Sequence, residues 1–216
     1  MLSKQNPLFK NGAVIFGLLG LVFGWLTFKP VQVSDLEDQV ALDHFFGEKF
    51  GEIISDSFPE GGTVVVIQLR PGDPDLVMQA IPEAQIAGLT VGLGEGYRLA
   101  LVDATWVGRD EESLAGGLTR YSRDFRQMLQ GNEDAIAVVS FAGLPKDPQN
   151  LGKDLLPPFY ALMDDVLPIE WAEQLPPGIM GIISIRPEGS FNFLPASRQE
   201  VLTYFEQNFI LTQGDA

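Results

Sequence analysis

Residues 134–145 read DAIAVVSFAGLP, an apolar run from Ala135 to Val139 that ends in Ser140-Phe141 and breaks at Gly143 and Pro145. A continuous apolar run bounded by turn residues is the pattern of a strand covered on both faces, here delivering its last residues to an open rim. The same pattern recurs at Thr63–Leu69 (TVVVIQL), Arg98–Val102 (RLALV) and Ile179–Ile185 (IMGIISI). Helical stretches separate these strands. One runs from about Asp75 to Leu89, and Leu118, Tyr121, Phe125, Met128 and Leu129 form the stripe of another. Pro157-Pro158 is expected to open a third helix, ending at Leu167. Ser197 is placed to cap a last helix to about Gln207, and Phe209–Thr212 forms a short edge strand. Alternating strands and helices with fully apolar strands predict an α/β fold: a three-layer, Rossmann-like parallel sheet with right-handed crossovers.

Working toward the amino terminus, Ser34-Asp35-Leu36-Glu37 has the spacing of a capping box. The helix it opens carries Leu42, Phe45, Phe46, Phe50, Ile53 and Ile54 at three- and four-residue intervals, ending near Ser57. Gly47 and Gly51 lie four apart on it and permit close packing. Before it, residues 12–28 (GAVIFGLLGLVFGWLTF) hold no charge. At 1.5 Å per residue they span about 25 Å as a helix, close to the lower limit for crossing a bilayer. The rival reading is a cleaved signal peptide. The run exceeds the usual apolar core of one, and Trp25–Val31 offers no small-x-small cleavage site, so an uncleaved anchor is expected. Gly17, Gly20 and Gly24 give the anchor a face of small residues that admits a second helix.

Charge orients this anchor. Residues 1–30 carry Lys4, Lys10 and Lys29 and no acid. The remaining 186 residues hold 11 basic and 29 acidic groups, a balance of −18. Two lysines before the apolar run and one after it place the amino terminus in the cytoplasm and the domain outside, in a periplasmic type of compartment. The expected organisation is a cytoplasmic terminus at 1–11, a transmembrane helix at 12–28, a connecting helix at 31–58 and an extracytoplasmic α/β domain at 59–216. So acidic a domain repels nucleic-acid phosphates, and no nucleic-acid role is expected. The chain has no cysteine, which excludes disulfides and thiolate chemistry.

The segment EAQIAGLTVGLGEGYRLALVDATW, followed by YSRDFRQMLQGNEDAIAVVSF, resembles one lobe of the type I periplasmic-binding-protein fold. Gly88–Gly94 and Phe125–Ala137 stand where that family has its helix ends and its approach to a strand, and the likeness covers roughly residues 60–145. The family normally has two lobes around a cleft, whereas this chain has length for one. The resemblance therefore implies a ligand clamp of which another molecule supplies half, or a lobe turned into an interaction module.

In an open parallel sheet, ligands bind beyond the carboxyl ends of the strands. Those ends lead into Arg70 and Asp73, Asp103 and Trp106, Ser140, and Arg186. Two arginines and a serine can hold an anion. The commoner arrangement is that Arg70 and Arg186 pair with Asp73, Asp75 or Asp103 as surface ion pairs. Residues 142–156 form a long connection that starts at the same edge and carries Lys146 and Lys153, two of the three lysines beyond residue 30. The expected binding surface is therefore Arg70, Asp73, Asp103, Trp106, Ser140, Lys146 and Arg186. Three aspartates there do not match an EF-hand, and no metal or other cofactor is expected. His44, the one histidine, lies on the first helix far from any strand end, and no G-x-S-x-G occurs. The reading is a non-enzymatic, membrane-anchored domain that binds a small ligand or a protein, a second copy of itself included. The alternative is an accessory single-pass subunit of a larger membrane complex.

Overall fold

The computed structural model describes residues 33–68, 76–104, 125, 127, 129–154, 157–189 and 198–214. Helix α1 spans Val33–Ser57, strand β1 Gly62–Gln68, α2 Leu76–Leu93, and β2 Tyr97–Asp103. Then come β3 (Ala137–Ser140), a 3-10 helix (Pro148–Asp154), β4 (Phe159–Val166), α3 (Ile169–Glu173), β5 (Ile179–Ile185), α4 (Arg198–Asn208) and β6 (Phe209–Gln213). Six strands form one sheet in the order β2-β1-β3-β4-β5-β6. The first five are parallel, and β6 closes the far edge antiparallel to β5, from Ile185↔Phe209 to Gly181↔Gln213. The expected all-parallel sheet is thus mostly parallel. The chain between Ile185 and Phe209 is long enough for a crossover, but it delivers Phe209 opposite Ile185 at the carboxyl end of β5, so β6 starts there and runs back antiparallel.

The two faces carry separate cores. On one, α1 lays Leu42, Phe45, Phe46, Phe50 and Ile54 against Val64, Val66, Val139 and Tyr160, together with Leu89 and Leu93 of α2 and Val201, Tyr204 and Phe205 of α4. On the other, Phe125, Leu129, Leu144 and Leu151 cover Val65, Ile67, Val138 and Phe159. The crossover from β1 to β2 uses the first face. Those from β2 to β3 to β4 to β5 use the second, as right-handed crossovers in opposite directions along a sheet require.

Residues 157–167 are the main correction. The expected helix is instead β4, with Phe159, Tyr160, Ala161 and Leu162 all buried between β3 and β5. Pro157-Pro158 fits the helix-start rule equally well as the lead-in to a strand, because Pro158 needs only its carbonyl, which accepts from Val138 N–H at 2.9 Å. The 142–156 connection therefore belongs to the β3-to-β4 crossover, which carries the 3-10 helix Pro148–Asp154. Among the described residues no helix is long and apolar enough to cross a membrane. Residues 12–28, with Gly17, Gly20 and Gly24, lie outside them.

The α1–α2 contact explains the glycines. An added Cβ at Gly47 would meet Leu89 N at 2.7 Å, and one at Gly51 would meet Leu93 N at 2.6 Å. Gly88 lies against the His44 carbonyl and Gly92 against that of Glu48, so the helices run in the same direction with backbones touching. At one end of this contact Asp43 is buried and accepts from Gln85 Nε2 at 2.6 Å and Gln39 Nε2 at 2.7 Å.

Tyr160 makes the core pH-sensitive at the alkaline end. Burial raises its pKa, and a hydrogen bond with Ser57 offsets part of that; burial also raises Tyr204. Unfolded tyrosine ionises near pH 10. Stability is fully present below that value and falls as pH rises through it toward the higher folded pKa, because the unfolded chain sheds the proton first. Urea midpoints should fall steeply above pH 10, and Tyr160→Phe should flatten that fall. An unchanged slope in the variant would show that another group titrates.

Candidate functional site

Because β1 has β2 on one side and β3 on the other, successive crossovers diverge there, and the carboxyl ends of β1 and β3 form the topological switch point where ligands enter such sheets. The ladder continues just past the strands: Ala104 N–H donates to Gln68 O at 2.8 Å, and Phe141 N–H to Ile67 O at 3.0 Å. Gln68 is buried, and its Nε2 donates to Pro82 O at 2.9 Å, which pins the end of β1 to α2.

Asp103, Ser140 and Arg186 all stand at this carboxyl edge, but in a row. Asp103 ends β2 and Arg186 follows β5, four strand spacings or about 19 Å apart, with Ser140 midway. They form a rim and not one pocket. Ser140 is fully buried, and its hydroxyl donates to Gly143 O at 2.7 Å. It therefore holds the turn, where Gly143 sits at φ 85°, and offers no donor to solvent. Arg186 is largely committed to the β5–β6 junction. Its Nε donates to Phe209 O at 2.7 Å, its N–H to Asn208 O at 2.8 Å, and Nη1 lies 3.7 Å from Glu188. Among the described residues the acid it faces is Glu188; Asp73 and Asp75 lie outside them. Asp103 and Lys146 are exposed. Arg70, Asp73 and Trp106 lie outside the described residues.

Sequence reasoning missed a second feature of this edge. Leu162 pairs with Ile183, yet Val166 pairs with Ile185, so β4 carries a bulge between them. Beyond it, Val166 and Ile169 are 39% and 86% exposed, large apolar side chains facing water at the rim. Ser184, fully buried on β5 in the same stretch, has a hydroxyl with no hydrogen-bond partner among the described residues. Reading 157–167 as a helix hid this bulge, since only a strand can have one. No group of three or more His, Asp or Glu able to hold a metal occurs among the described residues.

Neither a family model nor a curated protein sequence matches the chain. Solved structures similar in fold include the XylFII molecule, at 12% identity and TM-score 0.47 over 80% of this chain and 61% of that one. A sugar ABC-transport substrate-binding protein from Bordetella parapertussis is similar at 19% and 0.43, over 66% and 41%. The fructose-binding periplasmic domain of a hybrid two-component system is similar at 14% and 0.45, over 79% and 56%. The chain spans between 41% and 61% of the lengths of these three structures. Its own strand order and pairing are those of a mostly parallel α/β sheet with helices on both faces.

Proposed function

We propose that the chain is a non-enzymatic binding lobe held outside the cytoplasm by the apolar segment 12–28, and that its carboxyl edge is the docking surface. The observation that carries this reading is the β1/β3 switch point, which makes the carboxyl edge the natural entry for a ligand or partner. Asp103 and Lys146 are exposed charges on it, with Arg70, Asp73 and Trp106 assigned to it from their sequence positions just after β1 and β2. Arg186 and Ser140 hold the edge in shape. Two of the proteins similar in fold are named as a sugar-transport substrate-binding protein and a fructose-binding domain, and another is solved as the XylFII–LytSN complex. A sugar-sized ligand and a protein partner are therefore both compatible occupants. A second reading, the accessory subunit of a membrane complex, is favoured by Val166 and Ile169, because exposed apolar residues at a rim suit protein contact. In that reading the small face of Gly17, Gly20 and Gly24 packs on a partner helix.

The test is isolation of the full chain from its native membrane in mild detergent, beside Lys146→Glu and Ile169→Asp. Both side chains are exposed, so melting temperatures should stay within about 2 °C of the parent. A co-purifying protein lost in either variant supports docking at this edge. A partner retained by both variants, or a cytoplasmic location of the domain by protease accessibility, overturns the proposal.

A further inference from the structure

A recess of about 290 Å³ lies at the opposite edge of the sheet, by the amino end of β5 and the carboxyl end of β6. We propose that it is a second site, which takes an organic cation: an ammonium or guanidinium group on a short alkyl chain. Its volume is near the lower end of small-ligand pockets, roughly 300–1,000 Å³. Trp171, Glu173, Gln174, Met180, Thr212 and Gln213 line it. Among the described residues Glu173 is the one ionisable group in the wall, so an anion entering the recess would meet a carboxylate and no countercharge there. A wholly apolar ligand would strip water from that carboxylate and from two side-chain amides without replacing their hydrogen bonds. A cation satisfies both: its N–H groups meet the Glu173 carboxylate and amide oxygens, its charge meets the indole of Trp171, and its alkyl stem packs on Pro176 and Pro177 in the same wall. The domain's balance of −18 raises the local concentration of such ions.

The wall is built into the fold. Ile179 N–H donates to Pro176 O at 3.1 Å, and Gly178, at φ 86°, turns the chain into β5. Gly214 N–H donates to Met180 O at 3.1 Å, and a Cβ at Gly214 would meet Ile179 O at 2.7 Å, so a glycine lets β6 close against the recess. The seven residues of β5 separate this site from the carboxyl edge by about 23 Å, and either site can fail without the other.

Two sources carry this chemistry, a free small amine or guanidine and a Lys or Arg side chain of a protein. The test titrates the ¹⁵N-labelled full chain, in neutral detergent at fixed ionic strength, with butylguanidinium and butylammonium. Sodium butyrate and butanol serve as shape-matched controls, followed by a tripeptide with blocked termini and a central arginine. Saturable shifts of the Gly178 and Gly214 amides are expected with the cations only. Glu173→Gln should weaken them roughly two- to fivefold. Trp171→Leu should do the same, but Trp171 also packs on the core, so the exposed Glu173 carries the decision. A peptide that binds more tightly than butylguanidinium identifies a protein side chain as the source; one that binds no more tightly identifies the small cation. Equal response to butyrate or butanol, no response to either cation, or affinity unchanged in Glu173→Gln overturns the proposal.

Discussion

Gly88→Val should cost more than about 3 kcal/mol, enough to leave much of the chain unfolded at 37 °C, since whole domains are stable by only about 5–15 kcal/mol. The Cβ alone would overlap the His44 carbonyl oxygen and lie 2.7 Å from its carbon and 3.0 Å from Glu48 N. These are backbone atoms of α1, so no rotamer change relieves the overlap. Moving α1 away would lift Phe46 and Phe50 off the sheet. The gain in helix propensity from losing a glycine, under about 1 kcal/mol, does not offset that. Thr90→Val, two residues further on the exposed side of α2, is the control and should shift stability by less than about 1 kcal/mol. Urea denaturation of both variants checks it. Equal midpoints for the two would show that the helices do not touch through their glycines.

Phe50→Ala should cost about 3–5 kcal/mol by the same measurement. Phe50 is fully buried, with its ring 5.9 Å from Phe141 and 6.4 Å from Tyr160, both edge-on. It thus bridges α1 to β4 and to the residue that follows β3. Little can collapse into the space it leaves, because β1, β3 and β4 behind it are fixed by the hydrogen-bond ladder. Phe141 is only half-buried, so Phe141→Ala should cost less than half as much. A loss below about 1 kcal/mol for Phe50→Ala would mean that α1 is peripheral to the domain. The loss expected here makes α1 part of the folded body.

The sequence reading of α1 needed no tertiary information. Its apolar residues recur at helical spacing, and the burial of Leu42, Phe45, Phe46, Phe50 and Ile54 follows from that period alone. The runs around Val64–Ile67, Ala137–Ser140 and Ile179–Ile185 were legible for a related reason, since a strand covered on both faces has no polar side to confuse the pattern. Gly47 and Gly51 announced a close contact. Their partners did not, because Gly92 reads equally well as a helix terminator, and the helix runs on to Leu93 before Gly94 turns it at φ 72°.

The site was less legible. Sequence position put Asp103, Ser140 and Arg186 at strand ends, and parallel pairing put those ends on one edge. Which strands are neighbours was not written locally, and the row of about 19 Å follows only from the order β2-β1-β3-β4-β5. Nor does sequence say that the Ser140 hydroxyl turns inward to Gly143 or that Arg186 is taken up by Phe209 O. Those are choices among partners distant in the chain or set by a turn. The segment 157–167 shows the limit most clearly: Phe159 to Leu162 is as apolar as a helix interior, and Pro158 starts a helix or a strand with equal ease. By itself the sequence determined the periodic elements, the charge asymmetry and the edge at which to look, because each depends on residues near one another in the chain. The tertiary structure alone decided strand order, the bulge in β4, the antiparallel return of β6 and the recess beside Trp171. Each of these depends on which backbone groups find one another across the sheet, and a short apolar run is compatible with several neighbours until the whole core is packed.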